Sequence, residues 1–133
     1  MTTSRPLIAL VDDEESIRKA FARLLRSAGL DAETFDSGAE FLKAIDAHLP
    51  DCVVLDLQMP HMHGLAVQRH LAKVHASIPV IILTAHDTPE DRERAMNGGA
   101  SAYLHKPVND RNLLEAISAA ITRAKGSARQ REN

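Results

Sequence analysis

The chain has 133 residues, room for one domain of ordinary size and not for a second. Hydrophobic residues make up 44% and charged residues 26%, a globular composition, while aromatics at 3% with no Trp leave almost nothing on which single-stranded nucleic acid can stack. Sixteen Lys and Arg against eighteen Asp and Glu give a formal net charge of -2, which excludes a general attraction to a phosphate backbone or an anionic membrane.

The first apolar run, Leu7 to Val11, reads as a strand and ends in Asp12-Asp13. Ile17, Phe21, Leu24, Leu25 and Ala28 then recur as one stripe of a helix that Gly29 closes. Residues 32–35 carry Glu33 and Thr34 and read as an edge strand, followed by a helix marked by Phe41, Leu42 and Ile45. Cys52 to Leu55 is continuously apolar, as a strand covered on both faces should be, and runs into Asp56. Val67, Leu71 and Val74 mark a third helix. Residues 80–83 form another buried strand, ending at Thr84. Beyond it Thr88 predicts an N-cap and Pro89 a first helical position, but residues 90–94 are five consecutive charges and only Ala95 and Met96 follow before Gly98-Gly99. That fourth helix buries little and should be the least firmly held. Residues 102–104 make the fifth strand, followed by His105 and Lys106-Pro107. Leu113, Ile117, Ala120, Ile121 and Ala124 stripe a last helix, and residues 126–133 read as a disordered polar tail whose Arg129 and Arg131 face solvent.

Five strand-helix rounds predict an α/β fold, a single doubly wound domain on a parallel sheet. No apolar run reaches the ~18 residues of a membrane-spanning helix, the start lacks a signal-peptide pattern, and the single Cys52 has no disulfide partner, so a cytoplasmic location is expected. Ligands of such sheets bind beyond the carboxyl ends of the strands. There stand three carboxylates (Asp12, Asp13, Asp56), a hydroxyl (Thr84) and an ammonium (Lys106). Two carboxylates ~4 Å apart repel by about 4 kcal/mol at an effective dielectric constant of ~20, so such a trio calls for a cation, and hard oxygen donors favour Mg²⁺ over Zn²⁺. Each residue alone also has a plainer reading. Asp12 and Asp13 can cap a helix, Asp56 can form a turn, Thr84 can be an ordinary strand or cap residue, and Lys106 can be a solvated loop lysine. Their common placement at strand ends argues against four separate accidents. His61 and His63 have a His-x-His spacing but no third ligand in view, and read as loop histidines.

The stretches LIALVDDEESIR, CVVLDLQMPHMHGL, PVIILTAHD and GGASAYLHKP together resemble the receiver domain of bacterial two-component response regulators, over residues 6–125. The resemblance implies the strand order 2-1-3-4-5 of a chemotaxis receiver. It implies Asp56 as phosphoacceptor for a phosphoryl group from a histidine kinase or phosphotransfer protein. Asp12, Asp13, Asp56 and the backbone carbonyl of Gln58 would hold Mg²⁺, with Mn²⁺ as a substitute. Thr84 and Tyr103 would be switch residues, Lys106 the phosphoryl-binding cation before a cis peptide to Pro107, and Gln58 and His86 would tune the phosphoryl lifetime. Output is expected through the face of the fourth helix, fifth strand and fifth helix, with dimerisation on phosphorylation, and with self-catalysed phosphoryl chemistry in place of enzymatic turnover. The stretch around Asp56 resembles the nitrogen-fixation regulator branch, many of whose members carry a DNA-binding domain, so the chain also reads as a fragment of such a regulator. A haloacid-dehalogenase-type phosphatase shares a strand-end Asp, Thr and Lys, but that family needs a second Asp two positions after the nucleophile, where this chain has Gln58.

Overall fold

The structure, a computed structural model, describes the backbone of residues 5–132 and the side chains of residues 5–126. Strands and helices alternate throughout: β1 (Leu7–Val11), α1 (Glu15–Ser27), β2 (Asp31–Phe35), α2 (Gly38–Ala44), β3 (Cys52–Leu55), α3 (Gly64–Val74), β4 (Val80–Thr84), α4 (Pro89–Asn97), β5 (Ala102–His105) and α5 (Asp110–Glu132). All strand pairs are parallel, in the order β2-β1-β3-β4-β5.

The period-2 alternation of the strands splits the core into two layers. Ala9, Val11, Val53, Leu55 and Ile82 face α2, α3 and α4, where they meet Phe41, Leu65, Val67, Leu71 and Ala95. Ile8, Leu10, Cys52, Val54, Ile81 and Leu83 face α1 and α5, against Leu25, Leu113 and Ile117. Burying each such aliphatic side chain contributes about 1.5–3 kcal/mol, and both layers are needed because a parallel sheet has no face that tolerates water. β2 lies at one edge and is the most exposed strand, as its Glu33 and Thr34 foretold. The Cys52 thiol is fully buried, and burial pushes it up to about 12, which leaves it protonated and inert at neutral pH.

Helix α4 begins as its sequence dictates: Thr88 accepts the Asp91 N–H, Pro89 opens the helix, and Ala95 is its one buried residue. Two expectations need correction. Val74 was expected to continue the α3 stripe, but it is the last residue of that helix and 54% exposed, so the stripe ends at Leu71. Helical backbone also continues past Gly126 to Glu132, where the sequence predicts disorder. A single Gly costs only about 1 kcal/mol, and Ala128, Arg129, Gln130 and Arg131 are good helix formers with no Pro to stop them. The side chains of Arg129 and Arg131 lie outside the described residues, as does the extreme amino terminus.

Gly64 starts α3 against the chain that follows β3. A Cβ there would run into the Asp56 carbonyl oxygen and stand 2.7 Å from the Leu57 Cα, both backbone atoms that cannot swing aside. Gly64→Ala is therefore expected to cost about 2–3 kcal/mol, at the upper end for overpacking. Urea unfolding would measure it; a change below about 0.5 kcal/mol would mean that the Asp56 loop yields freely.

Candidate functional site

Parallel register brings the strand ends together. Val11 pairs with Leu55, so Asp12 and Asp56, each one residue further on, emerge side by side where β1 sends the chain to opposite sides of the sheet. The Asp56 N–H donates to the Val11 carbonyl (3.0 Å), and the Asp12 N–H to Phe35 (3.1 Å), which fixes both backbones. Asp13 follows in the loop to α1. Carboxylate oxygens of Asp12, Asp13 and Asp56 lie within 4.8 Å of one another, the single such group of potential metal ligands among the described residues.

At the other side of the site, Thr84 ends β4 and pairs with His105 of β5. Lys106 comes next, its N–H bonded to the Thr84 carbonyl (2.8 Å), and the peptide from Lys106 to Pro107 is cis. The ammonium reaches back across the sheet end. Its Nζ lies 2.7 Å from Asp12 Oδ2 and 3.5 Å from Asp56 Oδ2, with Glu14 Oε1 at 3.7 Å. Lys106, Asp12 and Asp56 are all nearly buried.

The electrostatics follow from that crowding. Burial raises the Asp56 carboxyl above its ordinary value; the Lys106 charge opposes the shift, Asp12 adds to it, and the Gln58 N–H, donating to Oδ1 at 3.2 Å, opposes it again. For Lys106, burial pulls the ammonium down, but the hydrogen bond to Asp12 and the charges of Asp56, Asp12 and Glu14 outweigh it, so it is held above 10.5. The carboxylates of Asp12, Asp13, Asp56 and Glu14 outnumber the one ammonium among them, so the pocket keeps a net negative charge that favours a bound cation. The donor set is all oxygen and anionic, which fits Mg²⁺ chemistry.

Thr84 is fully buried and its Oγ1 accepts the His86 N–H at 3.1 Å. Tyr103, one strand away, is buried, with the Arg92 guanidinium 5.3 Å over its ring. Burial, then the charge of Asp87, push its phenol up to about 12. The side chains of Gln58 and His86 are exposed. His63 caps α3 by accepting the Leu65 N–H on Nδ1 (3.1 Å), and its Nε2 lies 3.4 Å from the Gln58 amide. His61 occupies the left-handed region at φ 70°. Two contacts were not anticipated: Glu14 beside Lys106, and Arg18, whose Nη1 donates to the Asp12 carbonyl (2.9 Å). Arg18 falls one turn into α1 from the acidic loop, a spacing too common to signal by itself.

The response regulator receiver domain profile matches residues 8–118. The chain belongs to that family. It is 36% identical over 121 residues to nodulation protein W of Bradyrhizobium diazoefficiens, covering 91% of this chain and 53% of that protein. It is 38% identical over 118 residues to the DNA-binding transcriptional regulator NtrC of Escherichia coli K12, covering 89% of this chain and 25% of that protein. The chain thus spans about half, or less, of these relatives. Among solved structures, a CheY-like receiver domain from Methanospirillum hungatei JF-1 superposes with a TM-score of 0.90 at 27% identity, over 93% of this chain and 99% of that one. The nitrogen-fixation regulator branch suggested by the sequence is consistent with these relatives. A receiver domain takes part in two-component signalling as a phosphoacceptor, between histidine kinases and downstream effectors. No helix among the described residues is long and apolar enough to cross a membrane.

Proposed function

We propose that Asp56 is the phosphoacceptor of this receiver. The observation that carries the reading is the meeting of Asp12, Asp13 and Asp56 within 4.8 Å, with the Lys106 ammonium against two of them. An Asp56 carboxylate oxygen attacks the phosphorus of a phosphohistidine, the P–N bond breaks, and the imidazole leaves with that electron pair. Burial keeps bulk water from the carboxylate. The Gln58 N–H holds one oxygen and so orients the other. Lys106 supplies positive charge where the phosphoryl oxygens arrive. Asp12, Asp13, Asp56 and the Gln58 carbonyl would hold Mg²⁺, or Mn²⁺, which when bound neutralises phosphoryl oxygens. Thr84 and Tyr103 pass the new charge to the α4-β5-α5 face, through which a downstream protein or a second copy binds. Gln58 and His86, whose side chains are exposed two residues beyond Asp56 and Thr84, set the lifetime of the acyl phosphate, which the chain forms and loses by its own catalysis. The reading places the receiver at residues 6–125, in the cytoplasm, as the signalling module of a longer DNA-binding regulator.

The test is metal binding. Asp13→Asn is expected to weaken Mg²⁺ binding at least tenfold, because one of the charged ligands is lost. Titration followed by amide shifts of the loop after β1 would measure it. An unchanged affinity would contradict the assignment.

A further inference from the structure

Outside the acidic site, the described residues include a buried polar side chain on α3, Gln68, 3% exposed. Its amide donates to the Ala95 carbonyl of α4 at 2.8 Å. Gly98 closes against it so tightly that a Cβ would stand 3.2 Å from the Gln68 amide carbon. These contacts pin α4 to α3 and leave between the helices an open groove of about 560 Å³. Leu65 and Ala72 contribute apolar surface, and Arg69, Lys73 and Arg94 carry its charge. No carboxylate lines the groove, and among the described residues none pairs with these three cations. A cationic groove is thus set into a chain of net charge -2. Among the described residues, two of the three exposed large apolar side chains, Val74 and Met96, belong to α3 and α4, though outside the groove lining.

We infer that this groove docks an acidic amphipathic helix of a partner protein. The apolar surface takes leucine-like anchors at i, i+3, i+4 and i+7, and the unpaired cations take carboxylates flanking them. An extended peptide is disfavoured because the groove walls are helices whose backbone groups are already bonded, whereas a helix satisfies its own. A nucleic acid is disfavoured by the chain's net charge and by the absence of aromatic stacking surface in the groove. Eleven residues of α3 span about 16 Å, matching three turns of a docked helix. The surface lies on the α3 side of α4 and its occupation requires no phosphoryl group, so its failure and the failure of the Asp56 reading are separable.

The experiment uses the full, unphosphorylated chain and a synthetic helix of about 18 residues, with Leu at the anchor positions and Glu beside them. Amide spectra are expected to shift in residues 65–73 and 94–98. Affinity is expected to fall roughly tenfold or more in the Arg69→Glu, Arg94→Glu double variant and with added salt, and to be unchanged in Arg23→Glu on α1. The Lys-substituted version of the same helix should not bind. Shifts elsewhere, binding indifferent to the two charge reversals, or no binding would overturn the proposal. So would concentration-dependent shifts in these residues without peptide, which would assign the groove to a second copy, or stronger binding to anionic vesicles through the same arginines.

Discussion

Asp56→Asn is expected to abolish phosphoryl uptake and, in metal-free buffer at neutral pH, to make the fold more stable. The first effect removes the nucleophile, since a carboxamide forms no acyl phosphate. The second follows from the site's electrostatics. Asp56 is buried, and its carboxyl is raised, burial and Asp12 outweighing Lys106 and Gln58. As pH rises past about 3.9, the unfolded chain releases this proton first, so stability falls until the folded carboxyl has ionised too. Asn has no proton to lose. The variant's advantage is thus absent in acid, grows as pH rises above about 3.9, and is complete once the folded carboxyl has ionised. Each kcal/mol gained reads as about 3–5 °C in the melting temperature of a chain this long. Mg²⁺ should narrow the gap, because it binds the wild-type carboxylates and stabilises them by mass action. Melts at pH 4 and pH 7, with chelator and with Mg²⁺, would measure all of this; a less stable Asn variant at pH 7 would contradict the charge balance described.

Lys106→Ala works in the opposite direction. It leaves the buried carboxylates of Asp12 and Asp56 without the cation that lies 2.7 and 3.5 Å from them. Stripping one partner from a buried ionic cluster costs about 3 kcal/mol, largely the penalty of the charges left behind. Because Lys106 is held above 10.5, its contribution is fully present below that pH and is lost only as pH rises through the higher folded value. The Ala variant should therefore be less stable at pH 7 and converge on wild type in strong alkali. Mg²⁺ should restore part of the loss, while phosphorylation stays slow for want of the ammonium. Urea unfolding with and without Mg²⁺ checks the stability claim. A loss under about 1 kcal/mol without metal would show that water, not Lys106, compensates the carboxylates.

These residues were visible in the sequence for a physical reason. Buried parallel strands appear as unbroken apolar runs, and the first polar residue after each run must stand at the sheet's carboxyl edge, so Asp12, Asp56 and Thr84 announced their positions without any knowledge of packing. Lys106 was marked by the shorter run before it, and Thr88 and Pro89 marked the start of α4 by local rules alone. What escaped depended on tertiary partners. The burial of Gln68 requires α4 to lie alongside α3, 27 residues away. Likewise Glu14 and Arg18 look like ordinary solvated charges until β5 delivers Lys106 and the first loop turns its carbonyl toward α1. His63 read as a plain loop histidine, although its ring caps α3, because an N-cap histidine has no distinctive pattern. The helix past Gly126 escaped because residues 126–132 carry no apolar stripe, and a helix without one leaves no periodic signal.

The most direct measurement of the central claim is to locate the phosphoryl group on the wild-type chain. The protein would be incubated with acetyl phosphate and Mg²⁺, reduced with borohydride, which converts an aspartyl phosphate to homoserine, and sequenced by mass spectrometry. The account predicts one modification per chain, at Asp56 and dependent on the divalent cation. Modification of a hydroxyl or of any other carboxylate, or equal labelling without the metal, would contradict it.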